Sequence, residues 1–232
     1  MKKALAFILL LFALFAAGCQ SSLRELPQRL SQKGDHSPWA PEDLLSFEKA
    51  AEDLTDAALR EDWASSQEYA RRLQVAWPRV KEETASRQVT EGSLLRVEKL
   101  LQKAEEGVRK EDSLETAAAA NGLNLYAGHF LSLYEMSVPA AIPMLDGAVR
   151  SIQVAVRKGD WEGAQAALGA LDGAWIQFHP AGWVKKPEAG KRMDGHLDEM
   201  AAAIEKKDEA QVEAVVQKLL EDLKDMRQEL TR

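Results

Sequence analysis

The sequence predicts an all-α protein built from two tandem four-helix units, and three observations support this prediction. Apolar residues recur every three or four positions over long stretches, which is the period of an α-helix with one buried face. No stretch alternates between apolar and polar residues over the length of a strand. Two tryptophans recur after an offset of 98 residues, Trp63 and Trp77 and then Trp161 and Trp175. A fixed offset between matching positions is typical of a duplicated structural unit.

The repeat extends well beyond the tryptophans. The same offset aligns five apolar positions near the start of each copy: Leu44 with Ile142, Phe47 with Leu145, Ala51 with Val149, Leu54 with Ile152, and Ala58 with Val156. An offset of 96 aligns later positions: Val97 with Met193, Leu101 with Leu197, Val108 with Ile204, and Leu123 with Leu219. Because apolar residues match apolar residues while the others vary, the two copies are predicted to share one pattern of core packing.

Eight helices are predicted from the apolar stripes and their start and stop signals. In the first unit, 39–138, they cover 41–60, 62–88, 92–110 and 113–136. In the second unit, 139–232, they cover 140–158, 160–179, 188–206 and 208–230. The predicted N-caps are Asp62, Ser113, Asp160 and Asp208. Short connections predict that sequential helices are antiparallel neighbours.

The fourth predicted helix differs from its counterpart in the second unit, because it is apolar on more than one face. A helix that is apolar all round is buried. We therefore expect it to lie at the centre of one joined body and to pack on both units. Leu125, Leu131 and Leu133 would then face water in an isolated first unit, which is expected to be prone to aggregation.

The first 18 residues have the features of a secretory signal peptide: Lys2 and Lys3, then an uncharged apolar run over 4–17. The run is too short to span a bilayer as a helix. Small residues then precede Cys19, the single cysteine of the chain.

This arrangement resembles the lipobox of bacterial lipoproteins, with Ala16 where leucine is most common. The resemblance implies cleavage before Cys19 and lipid on that cysteine, diacylglycerol and an acyl chain such as palmitate. The protein would then be exported and anchored on the extracytoplasmic side of a membrane. Gln20 follows the cysteine in place of aspartate. If the host has two membranes, the resemblance to lipoprotein sorting rules implies the outer one.

Residues 19–38 form the lipidated end and a polar segment with proline and glycine, which predicts a flexible tether. Loss of Lys2 and Lys3 with the signal peptide would change the formal charge from −7 to −9. An acidic balance disfavours nucleic acid as a partner, because nucleic acid is bound through lysine and arginine.

Polar residues in the fourth predicted helix are candidates for a binding pocket between the two units. His129, Asn121 and Tyr134 all lie in this predicted helix, 113–136. They could contact a ligand there or form hydrogen bonds within the core. Trp183 lies in the longest internal loop and has no partner in the repeat, so it is a candidate for contact with a partner protein.

His196 and Glu199 are weak candidates for metal ligands. This HxxE pattern resembles a short motif of imelysin-type iron-uptake proteins, and the resemblance implies that imidazole and carboxylate share a metal. Met193 and Met200 on the same stretch could bind copper or fill the core. A metal site needs more ligands than these, so no metal or other cofactor is expected.

No arrangement of nucleophile and base stands out, and the chain has no glycine-rich phosphate loop. The chain resembles uncharacterised bacterial lipoproteins with tryptophan-containing helical bundles. We expect a non-catalytic, membrane-tethered protein of the cell envelope that interacts with an envelope protein. The alternative is a carrier that binds a ligand or metal in the pocket between the units.

Overall fold

The computed structural model describes residues 40–87, 89–134, 141–178 and 187–230. Within these ranges it contains no strand and eight α-helices, which confirms the all-α prediction. They are α1 (Glu42–Leu59), α2 (Trp63–Ser86), α3 (Glu91–Lys110), α4 (Ser113–Leu131), α5 (Ala141–Arg157), α6 (Trp161–Phe178), α7 (Pro187–Glu205) and α8 (Glu209–Leu230). None of the helices described is both long and apolar enough to cross a membrane. The predicted signal peptide, Cys19, the tether and Trp183 lie outside the described residues.

Each copy of the repeat closes into a four-helix bundle. In the first, α1 packs against α2 and α4, and α3 packs against the same two helices. In the second, α5 packs against α6 and α8, and α7 again packs against the same two. The apolar side chains of each bundle form a separate core. The aligned positions are buried alike: Leu73 and Leu171 are both 0% exposed, as are Val97 and Met193.

The duplication includes the turns within each bundle. The residue before each of four turn-ending aspartates has a positive φ: Glu61 and Glu111 in the first copy, Gly159 and Lys207 in the second. All four aspartates accept a hydrogen bond from the backbone N–H three residues later, at 3.1 Å for Asp62, 2.8 Å for Asp160 and 3.0 Å for Asp208. These N-caps satisfy donors that the first helical turn leaves unpaired.

The N-cap of α4 is Asp112, whose carboxylate accepts the backbone N–H of Glu115 at 2.9 Å. The prediction of Ser113 as the cap was wrong by one residue. Ser113 begins the helix instead, and its hydroxyl donates to the carbonyl of Ala58 at 2.9 Å. Aspartate and serine are equally good N-cap residues, so the residue types alone cannot distinguish Asp112 from Ser113. The position at which the helical backbone begins decides which of them is the cap.

The two bundles meet where α4 packs against α5. In α5, 12 of the 17 residues are buried, so this helix is at least as enclosed as α4. The contact between the bundles is therefore formed by two buried helices. Leu131 and Leu133 do not reach the second bundle, because they pack against the core of the first. Leu125 does reach it and lies against Gly147 of α5.

Candidate functional site

On one side of α5, the bundles are in close contact through small residues. A Cβ atom added to Gly147 would lie 2.6 Å from Cδ2 of Leu125, and one added to Gly128 would lie 3.1 Å from Cγ of Met144. The amide nitrogen of Asn121 donates to the carbonyl of Gly147 at 3.0 Å and to the hydroxyl of Ser151 at 2.9 Å. This predicted site residue therefore lies between the units, where it holds α4 against α5.

On the other side of α5, a groove separates the two bundles. The groove has a volume of about 720 Å³, is open to solvent and is lined by α1, α5 and α8. The residues from α5 form its floor, because Ile142, Asp146, Arg150 and Gln153 are all at least nine-tenths buried. Helices α1 and α8 form its sides and are not packed closely against each other. The groove thus has walls from both copies of the repeat.

Arg150 lies at the centre of the floor, and its side chain is only 4% exposed. Its Nε donates to Asp146 at 2.6 Å, and its Nη1 donates to Asp56 of the other bundle. Its Nη2 lies 3.6 Å from Oε1 of Glu52. Burial alone would lower the pKa of Arg150, but Asp146 and Asp56 raise that pKa above its ordinary value. One buried guanidinium therefore joins carboxylates of both bundles.

Two further arginines of the second bundle reach the first. Arg157 donates from Nη1 to the carbonyl of Leu59 at 3.0 Å. Arg227 donates from Nη2 to Oε1 of Glu48 at 3.2 Å, and its Nη1 lies 3.7 Å from Oε2 of Glu52. In all three cases the arginine belongs to the second bundle and the acceptor to α1. The groove side of the interface is therefore held by charge and hydrogen bonding.

Carboxylates are crowded at one end of this groove. Burial raises the pKa of Glu48, although the guanidinium of Arg227 opposes the change. Burial also raises the pKa of Glu52, and the nearby carboxylate of Asp146 adds to that effect. Oε2 of Glu52 is buried and has no hydrogen-bond donor among the described residues. The ionised forms of these two side chains are therefore less stable here than in an unfolded chain.

Glu48→Gln should stabilise the fold at pH 8 and have less effect as the pH falls. A raised pKa means that the folded protein binds the proton more tightly than the unfolded chain. The ionised carboxylate therefore lowers stability above its folded-state pKa, and this cost disappears as the pH falls towards the ordinary value of 4.5. Thermal unfolding followed by circular dichroism at pH 8 and pH 5 measures the difference.

The exposed Glu82 on α2 provides the matched control, since Glu82→Gln changes the net charge by the same amount. This control should shift the unfolding temperature little at either pH. A Glu48→Gln variant that is less stable than wild type at pH 8 would show that the ion pair with Arg227 outweighs the cost of burial.

The other predicted ligand contacts lie away from the groove. His129 is exposed on α4, beside the ring of Phe130. Tyr134 lies just beyond the end of α4 and packs inside the first bundle. Its hydroxyl donates to Glu83 at 3.4 Å, and the guanidinium of Arg87 lies 3.9 Å from its ring centre. The structure therefore does not bring His129, Tyr134 and Asn121 together at one site.

The weak metal candidates are engaged by other side chains. Nδ1 of His196 lies 2.8 Å from Asp222, and Glu199 accepts Nζ of Lys218 at 2.7 Å. Met193 and Met200 are 0% exposed and belong to the core of the second bundle. Among the residues that the structure describes, no group of three or more His, Cys, Asp or Glu is placed to hold a metal ion.

Comparison of the chain with protein-family models, with curated proteins and with solved structures finds no match.

Proposed function

We propose that this chain is a membrane-tethered, non-catalytic binding protein of the cell envelope, and that the groove between its bundles holds a partner protein. The observation that supports this proposal most is the groove itself. It is an open groove of about 720 Å³, lined mainly by charged and polar side chains. Its two sides belong to different copies of the repeat, so the site exists only because the copies are joined.

The rim of the groove offers polar groups that can select a partner. Lys49, Arg60, Gln217 and Lys224 line it and are exposed. Charged rim residues act mainly on the rate of association and on the choice of partner, by electrostatic complementarity. Such a surface suits a protein that binds another protein at the membrane better than it suits a reaction centre.

Lipid on Cys19 would keep this body at the membrane. A flexible tether of about 20 residues, as the sequence predicts, would have an average reach of about 25 Å. Cys19→Ser should therefore yield protein that is uncleaved or released from the membrane. Fractionation of cells followed by immunoblotting measures this. A variant that is cleaved and remains membrane-bound like wild type would contradict the proposed anchor.

Site-specific photo-crosslinking in cells tests the groove. A photoreactive phenylalanine in place of Gln217, which lines the groove, should capture a partner protein as a discrete larger band. The same substitution at Gln102, exposed on α3 away from the groove, is the matched control and should capture none of it. Equal capture at both positions, or none at Gln217, would contradict the proposed site.

A second candidate is a carrier of a small polar ligand, which the volume of the cavity also favours. Native mass spectrometry and metal analysis of the purified protein distinguish the two functions. A bound small molecule or metal in near-stoichiometric amount would favour the carrier. Protein without such a ligand that still gives the crosslink at Gln217 would favour partner binding.

A further inference from the structure

The groove is the counterpart, within the repeat, of the close contact between α4 and α5. Helix α8 corresponds to α4, and helix α1 corresponds to α5. The two glycines that allow close packing have lysines at their equivalent positions: Gly128 aligns with Lys224, and Gly147 aligns with Lys49. A side chain at Gly147 would already collide with Leu125. The α8–α1 edge therefore cannot close by the packing that joins α4 to α5.

Few fully buried apolar side chains lie in the interface between the two bundles, which we call the seam. The cluster of apolar side chains that includes residues from both bundles is small, namely Ala58, Ala117 and Val154 with Leu59 and Ala118 at its margin. The two large cores lie on either side of it and are separate. An opening of the groove that leaves α4 and α5 in contact would therefore expose far fewer fully buried apolar side chains than opening either bundle. Interfaces with few buried apolar contacts belong to the less stable parts of a structure.

The α8–α1 edge is joined by Arg227. Among the ion pairs of the described residues, those between these two helices are Arg227 with Glu48, at 3.2 Å, and Arg227 with Glu52, at 3.7 Å. The Arg227 side chain is 32% exposed, whereas that of Arg150 on the floor is 4% exposed. Arg227 is thus the outer of these two arginines and the more accessible to water or to an incoming charge.

We propose that the two bundles open and close about the α4–α5 contact, and that Arg227 is the latch that keeps the groove closed. The helices that form the pivot, α4 and α5, are consecutive in the chain. An incoming carboxylate that binds Arg227 would compete with Glu48 and Glu52 and favour the open state. This inference concerns the same groove as the proposed function, but the latch can be tested without any partner.

Labelling of a buried thiol under native conditions measures the opening. In a Cys19→Ser chain, Ala58→Cys places the thiol in the seam, and Ala104→Cys places it in the core of the first bundle; both alanines are at most 1% exposed. Arg227→Gln should increase the labelling rate at position 58 by about two- to fivefold, the effect of losing an ion pair that is partly exposed. The rate at position 104 should be unchanged, since that thiol reacts only when the bundle itself unfolds.

Lys81→Gln is the matched control. It removes an ion pair with Glu98, at 2.7 Å, that joins α2 to α3 within the first bundle. This control should change neither the labelling rate at position 58 nor the ratio of the rates at positions 58 and 104. The latch is refuted if Arg227→Gln leaves position 58 unchanged, or if it accelerates both positions equally through general loss of stability. Either result leaves the crosslink at Gln217 as an independent test of the proposed function.

Discussion

Replacing Arg150 with methionine is expected to lower the free energy of unfolding by about 3–5 kcal/mol, the usual cost of leaving a buried charge without its partner. Methionine has a similar length and fills most of the space, so loss of packing is a minor part of this cost. The carboxylates of Asp146, Asp56 and Glu52 would lose the guanidinium that lies among them. Urea unfolding followed by circular dichroism measures the change.

Two further variants separate charge from packing. Arg72→Met removes an exposed arginine of α2 that is paired with Glu68, and it should cost less than about 1 kcal/mol. Adding Asp146→Asn and Glu52→Gln to Arg150→Met should recover part of the lost stability, because removing both sides of a buried pair costs less than removing one. An Arg150→Met variant as stable as wild type would show that the network does not stabilise the junction.

The bundles could be predicted from the sequence because apolar residues recur at aligned positions of both copies. Leu44 and Ile142, like Leu54 and Ile152, must be buried for the same reason, and the structure buries them alike. Two copies of one pattern are two independent samples of it. A misleading residue at one position is therefore outweighed by its counterpart in the other copy. The helical secondary structure and the order of the helices can then be predicted.

The groove could not be predicted in the same way, because it depends on contacts between residues far apart in the chain. Arg150 pairs with Asp56, 94 positions away, and no helical period relates them. A signal was nevertheless present. Glu52 and Arg150 occupy equivalent positions of the repeat with opposite charges. Opposite charges at aligned positions of two copies indicate a candidate contact between the copies.

The misplaced site residues have a physical explanation. Helix α4 ends at Leu131, earlier than the apolar pattern predicts, so Tyr134 does not extend the helical face towards the second bundle. It lies in the following turn, near Glu83 and Arg87 at the end of α2. An apolar stripe indicates which residues are buried, but it does not distinguish between two adjacent cores.

The first bundle alone, residues 40–134, is expected to fold as a soluble helical monomer that is less stable than the whole chain. This outcome differs from the sequence-based expectation of aggregation, and the reason lies in the seam. Leu131 and Leu133 stay within the first core, whereas Glu48 and Glu52 become hydrated when the second bundle is removed. Of the three leucines, Leu125 loses its contact with α5. Leu125 is already 37% exposed in the whole chain, so this loss costs less than the value for a fully buried side chain, about 1.5–3 kcal/mol. A typical domain has a stability of about 5–15 kcal/mol.

Urea unfolding of the fragment and of the whole chain tests this expectation. The dependence of the free energy on urea rises with the surface exposed on unfolding. If the bundles unfold together in the whole chain, its urea dependence should be about twice that of the fragment. If they unfold separately, the whole chain should show two transitions, one of them close to that of the fragment. A fragment that is molten or aggregates would mean that the polar seam supplies more stability than its few apolar contacts suggest, and a hinged opening of the groove would then be too costly to occur.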